Sequence, residues 1–264
     1  MLADSKVMEL DGQPASPDAV QALGLTNYGH FTSMRVEEGR VRGLSLHLDR
    51  LVRDCRTLFA ADLDPDRVRA LVADAVRGRS GAFIVRVTVF DPGLDLGHPG
   101  APLMPRIGIT FRPAAPATLP PLRLGSRQYR RDLPAVKHVG LFGPLRERRA
   151  AQLAGYDDAL LVSKEQVLEG PTWNVGLYDG QSVVWPDGEV LPGVTMTLLQ
   201  QRQPYKTVPV SVDALGEFQA AFATNASIGV RPIHAIDKVE FQVEHPIYEV
   251  LRAAYAAVQL DSLG

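Results

Sequence analysis

The chain has 264 residues, 45% of them hydrophobic and 22% charged, with a formal net charge of −2. A globular chain of this length removes about 75% of its extended surface from water, and this composition argues against disorder. Nothing in the charge balance suggests a polyanion, so nucleic acid is not an expected partner. No apolar run approaches the roughly 20 residues of a membrane span. The opening MLADSKVMELDGQPAS has neither a basic n-region nor an apolar h-region, so no secretory signal is expected. The single cysteine, Cys55, excludes an intrachain disulfide and a thiolate zinc cluster. The expectation is a cytoplasmic protein of mixed α/β class, with no membrane partner.

In chain order, Val7 to Leu10 with Asp11-Gly12 reads as a strand and turn. Tyr28 to Gly43 reads as a hairpin turning at Glu38-Gly39. From Ser45, a suitable N-cap, the period becomes helical through Leu48, Leu51, Val52, Cys55, Leu58 and Phe59. A second helix has Asp64 as N-cap, Pro65 at its first position and Gly78 beyond its end. Ala82 to Phe90 and Arg106 to Phe111 are apolar, β-branched strands. Arg112 to Pro121 holds four prolines and three alanines in ten residues and reads as an extended connector. The expected division is an N-terminal α/β domain over 1–113, a linker over 114–121 and a C-terminal α/β domain over 122–264.

In the second half, Pro144 to Ala154 is a short helix ended by Gly155. Ala159 to Val162 and Val167 to Gly170 are strands about a tight turn, and Trp173 to Pro186 is a hairpin about Asp179-Gly180. A helix opens at Gly193, and another runs from His245 to about Leu260. Hairpins interrupt the α/β alternation, so a doubly wound parallel sheet is not expected.

The sequence lacks G-x-S-x-G, G-x-x-x-x-G-K-[ST] and strand-borne G-x-G-x-x-G motifs. Its six histidines form no H-E-x-x-H pair, and no metal is expected. Only five basic residues are lysines: Lys6, Lys137, Lys164, Lys206 and Lys238. Amine chemistry is the role arginine cannot fill, because guanidinium stays protonated. Lys137 lies in an apolar setting, Leu133 to Val136 before it and Val139 after, which suits either an amine nucleophile or a structural ion pair. Glu169 closes an apolar strand, where a carboxylate must be paired or solvated. It fits a proton-holding partner or a rim residue. Val194 and Thr195 open a helix, whose free N–H groups suit an anion, as do those of every helix start. Asn225 and Ala226 follow an apolar strand in what is either a second phosphate turn or an ordinary loop. Arg50 lies about 200° from Leu48 round its helix, on the face away from the apolar stripe, so periodicity makes it solvated.

In order, these segments resemble the class IV pyridoxal-phosphate enzymes, which include branched-chain and D-amino-acid aminotransferases and aminodeoxychorismate lyases. GHFTSMRV, HLDRL, VKH, LEGPTWNV, LPGVTMTLL and NASIGVRPI are similar to the family's successive motifs, over about Tyr28 to Pro232. The chain departs from the family pattern at Asn27-Tyr28-Gly29, where an acidic G-D-G is usual. It departs again at Val139 to Leu141 and at Ala226, where a hydroxyl is common.

The resemblance implies fold type IV, two small α/β domains with pyridoxal 5′-phosphate in the cleft between them. It implies Lys137 as the Schiff-base lysine and Glu169 as partner of the pyridine nitrogen. Arg50, Val194 and Thr195 would bind the phosphate, with Asn225 and Ala226 as the weaker turn, and Phe31 would border the substrate. The implied activity is amino transfer between an amino acid or amine and a keto acid, by a homodimer acting on small molecules. The alternatives are elimination of pyruvate from aminodeoxychorismate and, in another class, a non-catalytic descendant that binds a phosphorylated ligand.

Overall fold

The computed structural model describes residues 8–116 and 118–264, so Val7 of the first expected strand and Ala117 of the connector lie outside the described residues. By contacts the chain divides into two compact units. The first comprises Met1–Ala114, Val136–Gly140 and Gln259–Gly264; the second comprises Ala115–Ala135 and Leu141–Val258.

Among the described residues of the first unit are strands β1 (Glu9–Leu10), β2 (Gln13–Pro14), β3 (His30–Glu37), β4 (Arg40–Arg42), β5 (Ala82–Phe90), β6 (Arg106–Pro113) and β16 (Leu260–Ser262). They form one antiparallel sheet in the order β16-β4-β3-β5-β6-β1-β2. Its helices are α1 (Pro17–Thr26), α2 (Leu44–Phe59) and α3 (Pro65–Val76). Strand β3 pairs with β5 along its whole length, from His30↔Val89 to Glu37↔Ala82. Strand alternation then sends His30, Thr32, Met34 and Val36 to one face and Phe31, Ser33 and Arg35 to the other. Met34 and Val36 join Val85, Val87, Ile107 and Ile109 in the core, against the buried residues of α2 and α3.

The sequence signals hold where local chemistry decides. Helix α3 has Asp64 as N-cap, its side chain accepting Asp66 N–H, and Pro65 in the first turn. Its buried Val68, Val72 and Val76 recur at i+4 and i+8, one face of a helix. Helix α1 follows the same grammar, with Ser16 accepting Ala19 N–H and Pro17 next, although its weak apolar stripe gave no period to read. Helix α2 begins one residue before the expected cap. Gly43, at φ 66°, takes the N-cap in a left-handed conformation that favours glycine, so Ser45 is already helical.

The second unit contains β7 (Leu122–Gln128), β8 (Asp158–Ser163), β9 (Gln166–Glu169), β10 (Asn174–Tyr178), β11 (Val183–Pro186), β12 (Tyr205–Val208), β13 (Ala220–Asn225), β14 (Gly229–Ile236) and β15 (Val239–Glu240). They form a mixed sheet in the order β12-β11-β10-β13-β14-β7-β8-β9, with β15 on β14. The helices are α4 (Phe142–Leu153), α5 (Val194–Gln200) and α6 (Ile247–Ala256). Helix α4 connects the parallel pair β7 and β8. Leu124, Leu160, Val175, Leu177, Ala223 and Ile233 form the main core of this unit.

Two expectations are corrected. The last helix stops at Ala256, because Leu260 to Ser262 leave it to pair antiparallel with Arg42 to Arg40 of β4. The linear division also does not follow the contacts. Lys137, expected in the C-terminal domain, belongs to the first unit with its neighbours 136–140. Backbone hydrogen bonds to β3 hold that segment, and composition carries no signal of such pairing. Among the described residues, no helix is long and apolar enough to cross a membrane.

Candidate functional site

In the first unit, the segment around Lys137 extends the start of β3. Phe31 N–H donates to Lys137 C=O at 2.9 Å, and Val139 N–H donates to Gly29 C=O at 2.9 Å. His30 and His138 form the antiparallel bridge between these bonds. Lys137 is half-buried, with its Nζ 5.0 Å from the centroid of the Phe31 ring, within cation–π range. Its backbone N–H donates to Asp54 Oδ2 on α2 at 2.9 Å. The Arg86 guanidinium also stacks over Phe31, 3.6 Å from its centroid. Burial pushes Arg86 down to about 10, with the like charge of Arg112 adding to the effect.

On the opposite face of β3, α2 carries a polar stripe of His47, Arg50 and Asp54, all buried. This corrects the solvated reading of Arg50, which is only 6% exposed. Helical positions 47, 50 and 54 share a face, and polar partners line it where the sequence pattern counted only apolar ones. Arg50 Nη2 donates to Thr32 Oγ1. Thr32 Oγ1 also hydrogen-bonds His47 Nδ1, at 2.7 Å. Burial first, then Arg50 and Lys137, hold His47 well below its ordinary value, so the ring is neutral. Burial lowers Arg50 to about 10, opposed by Asp54, and the group is charged at neutral pH. Its Nε is buried without a partner among the described residues. Cys55 is inert nearby, its thiol pushed up to about 11 by burial and Asp62.

In the second unit, Glu169 ends β9 and is 5% exposed. Its Oε1 accepts from Arg131 Nε at 2.8 Å, and its Oε2 accepts from Leu191 N–H at 3.2 Å. Arg131 is equally buried and also donates to Pro134 C=O. Asn174, at the start of β10, donates from Nδ2 to Leu191 C=O at 2.7 Å. Two strand-end side chains thus grip Leu191 by both backbone polar groups and fix the entry to α5. Gly193 caps that helix because nothing larger fits: a Cβ there would lie 2.0 Å from Asn174 Oδ1. Val194 and Thr195 follow, both buried. The Thr195 Oγ1, on a residue 1% exposed, has no partner among the described residues.

Asn225 uses its side chain internally. Its Nδ2 donates to Thr172 C=O at 3.1 Å, and its Oδ1 accepts Ser227 and Ile228 N–H groups at 2.8 and 3.0 Å. Ala226 lies half-buried in the turn so formed.

The structure thus brings Phe31, Arg50 and Lys137 to the two faces of β3, and joins Glu169 to the lead-in of Val194 and Thr195. Sequence reasoning missed Thr32, His47, Asp54, Arg86, Arg131 and Asn174 as members of these groups. His47 and Asp54 had a signal in their spacing about Arg50, three residues before it and four after; Arg86 and Arg131 had none.

A model of the family described as amino-transferase class IV matches residues 29–236. No curated protein matches by sequence. Among solved structures, the chain is similar to a branched-chain aminotransferase from Thermoproteus uzoniensis with norvaline. Their TM-score is 0.84 and their identity 19%, over 95% of this chain and 93% of that one. A fold IV-transaminase from Curtobacterium pusillum gives a TM-score of 0.76 at 23% identity, over 90% and 89%. A hypothetical aminotransferase from Mycobacterium tuberculosis, in a PLP-bound form, gives 0.80 at 20%, over 96% and 98%. These identities carry the fold, and the family match carries membership. The chain belongs to the class IV aminotransferases, a family of pyridoxal-phosphate-dependent enzymes.

Proposed function

We propose that this aminotransferase moves an amino group between an amino acid or amine and a keto acid, with Lys137 as the amine that carries the cofactor aldehyde. The convergence of Phe31, Arg50 and Lys137 on β3 and α2 supports this reading most directly. The residues fit the cofactor on a further ground. Arg50 Nε in the first unit and Thr195 Oγ1 in the second are each buried without a partner among the described residues, and each is a donor that suits a phosphate oxygen.

Arg50 would hold phosphate with a guanidinium that Thr32 orients, and the Thr195 hydroxyl is a second candidate donor to it. The N–H groups of Val194 and Thr195 belong to a first turn that leaves such donors unspent. Asn225 and Ala226 offer the second turn through backbone groups, since the Asn225 side chain is committed within it. Glu169 keeps a proton on the pyridine nitrogen, and Arg131 and Leu191 N–H hold its carboxylate in place. Pyridoxal phosphate, when bound, supplies a ring that accepts the electron pair left as the Cα–H bond breaks. The Lys137 amine would take the α-proton as general base and return it. Phe31 borders the substrate as an apolar wall.

The family resemblance supports a homodimer, and the single cysteine supports a cytoplasmic location. FTSMRV and NASIGVRPI favour the second reading, elimination of pyruvate to give 4-aminobenzoate. Purified protein loaded with cofactor, then screened with amino donors and aminodeoxychorismate, separates the two by product. Borohydride reduction should bleach a violet-blue band and leave its label on the Lys137 peptide. A colourless protein that ignores added cofactor would be the non-catalytic binder instead.

A further inference from the structure

A carboxylate with no solvent exposure must use its lone pairs on specific donors, because burying a charge otherwise costs far more than folding can spare. Asp54 is such a group: its side chain is 0% exposed. Its Oδ1 accepts from Arg53 Nε and Nη2 at 3.0 and 2.7 Å. Its Oδ2 accepts the backbone N–H of Lys137, 83 positions away in sequence, at 2.9 Å. The carbonyl of Lys137 is held separately, by Phe31 N–H of β3. Residue 137 is therefore gripped by both of its backbone polar groups, one by the sheet and one by a helix.

We propose that Asp54 is a positioning residue for Lys137. The inference rests on the reading of Lys137 as the cofactor-bearing amine. Asp54 fixes the plane of the 136–137 peptide and hence the direction in which the Lys137 side chain leaves the backbone. A lysine stem has four rotatable carbons, so a small tilt at Cα grows into a large displacement at Nζ. Asp54 and Arg50 lie one turn apart on α2, both buried. One rigid turn thus carries the guanidinium that holds phosphate and the carboxylate that aims the amine. Arg53, half-exposed, supplies the counter-charge that the buried Asp54 carboxylate requires. What the bond to Lys137 supplies is register.

The test compares Asp54→Asn and Asp54→Ala in the cofactor-loaded enzyme. Asparagine keeps a carbonyl oxygen that can accept the Lys137 N–H; alanine removes it. Amide hydrogen exchange of the 136–140 segment should be at least about tenfold faster in Asp54→Ala and near wild type in Asp54→Asn. The kcat of Asp54→Ala should fall by about 10²-fold, the scale of a misplaced reacting group, with KM for the amino donor little changed. Its visible circular dichroism should weaken, and Asp54→Asn should recover most of both losses. Should Asp54→Ala not fold, Asp54→Ser, too short to reach the amide, takes its place in the comparison. Wild-type exchange and kcat in the alanine or serine variant would overturn the proposal. So would equal loss in that variant and Asp54→Asn with exchange at 136–140 unchanged, since that marks a charge needed only within α2. A borohydride label found on a residue other than Lys137 in the wild-type enzyme would overturn the underlying reading itself.

Discussion

Arg131 and Glu169 form an ion pair at 2.8 Å in which both side chains are almost wholly buried, 5% and 6% exposed. Such a pair adds little net stability, because desolvation offsets the attraction. Its geometry is informative, since it leaves the Glu169 carboxylate in one fixed orientation. Removing one partner strands the other charge, so Arg131→Met should destabilise the protein by about 3–5 kcal/mol in urea unfolding. Glu169→Gln keeps an acceptor for Arg131 and should cost less. In steady-state kinetics with a cofactor titration, Glu169→Gln should lower kcat more than it lowers cofactor affinity. Equal loss of both would assign the ring-nitrogen role to another carboxylate.

Arg50 predicts a phosphate grip with a distinctive upper pH limit. Each charge-assisted hydrogen bond contributes about 1.5–3 kcal/mol, so Arg50→Met should weaken cofactor binding by about 10- to 100-fold. Arg50→Lys should not restore it, because an ammonium cannot hold Thr32 and phosphate in the same fork. Burial lowers the guanidinium to about 10, so in the wild type the charge is complete at neutral pH and is lost above that value. Cofactor affinity measured by absorbance titration should therefore fall above about pH 10 in the wild type, and that fall should be absent in Arg50→Met.

His30 predicts an acid-sensitive fold. Its ring is fully buried with neither nitrogen hydrogen-bonded among the described residues, and burial, Arg50 and Arg53 push it down to about 3. The unfolded chain, titrating near 6.5, binds the proton that the folded ring refuses. Stability is thus intact above about pH 6.5 and declines as pH falls toward 3. Between neutrality and pH 5 this group alone accounts for about 2 kcal/mol. His30→Leu should remove that share, so the difference between variant and wild-type urea midpoints should grow as pH falls. A difference independent of pH would mean that the folded ring takes up the proton.

The elements that sequence made legible are those decided within a few residues. Asp64-Pro65 starts α3, Asp179-Gly180 turns β10 into β11, and Glu38-Gly39 turns β3 into β4. The order of weak motifs pointed to the cofactor chemistry and to Lys137, Glu169 and Arg50, because residue type limits which side chains can carry an amine, a proton or a phosphate. Tertiary structure decided where those groups stand. Only folding buries Arg50 on a polar stripe, since Thr32 arrives from a strand and Lys137 from the far side of the Pro-rich connector. Helical periodicity registers apolar faces, and a face buried by hydrogen bonds and charge has no apolar signature to read. The same reason hid Arg131, whose burial depends on Glu169 being brought to it across 38 positions of chain.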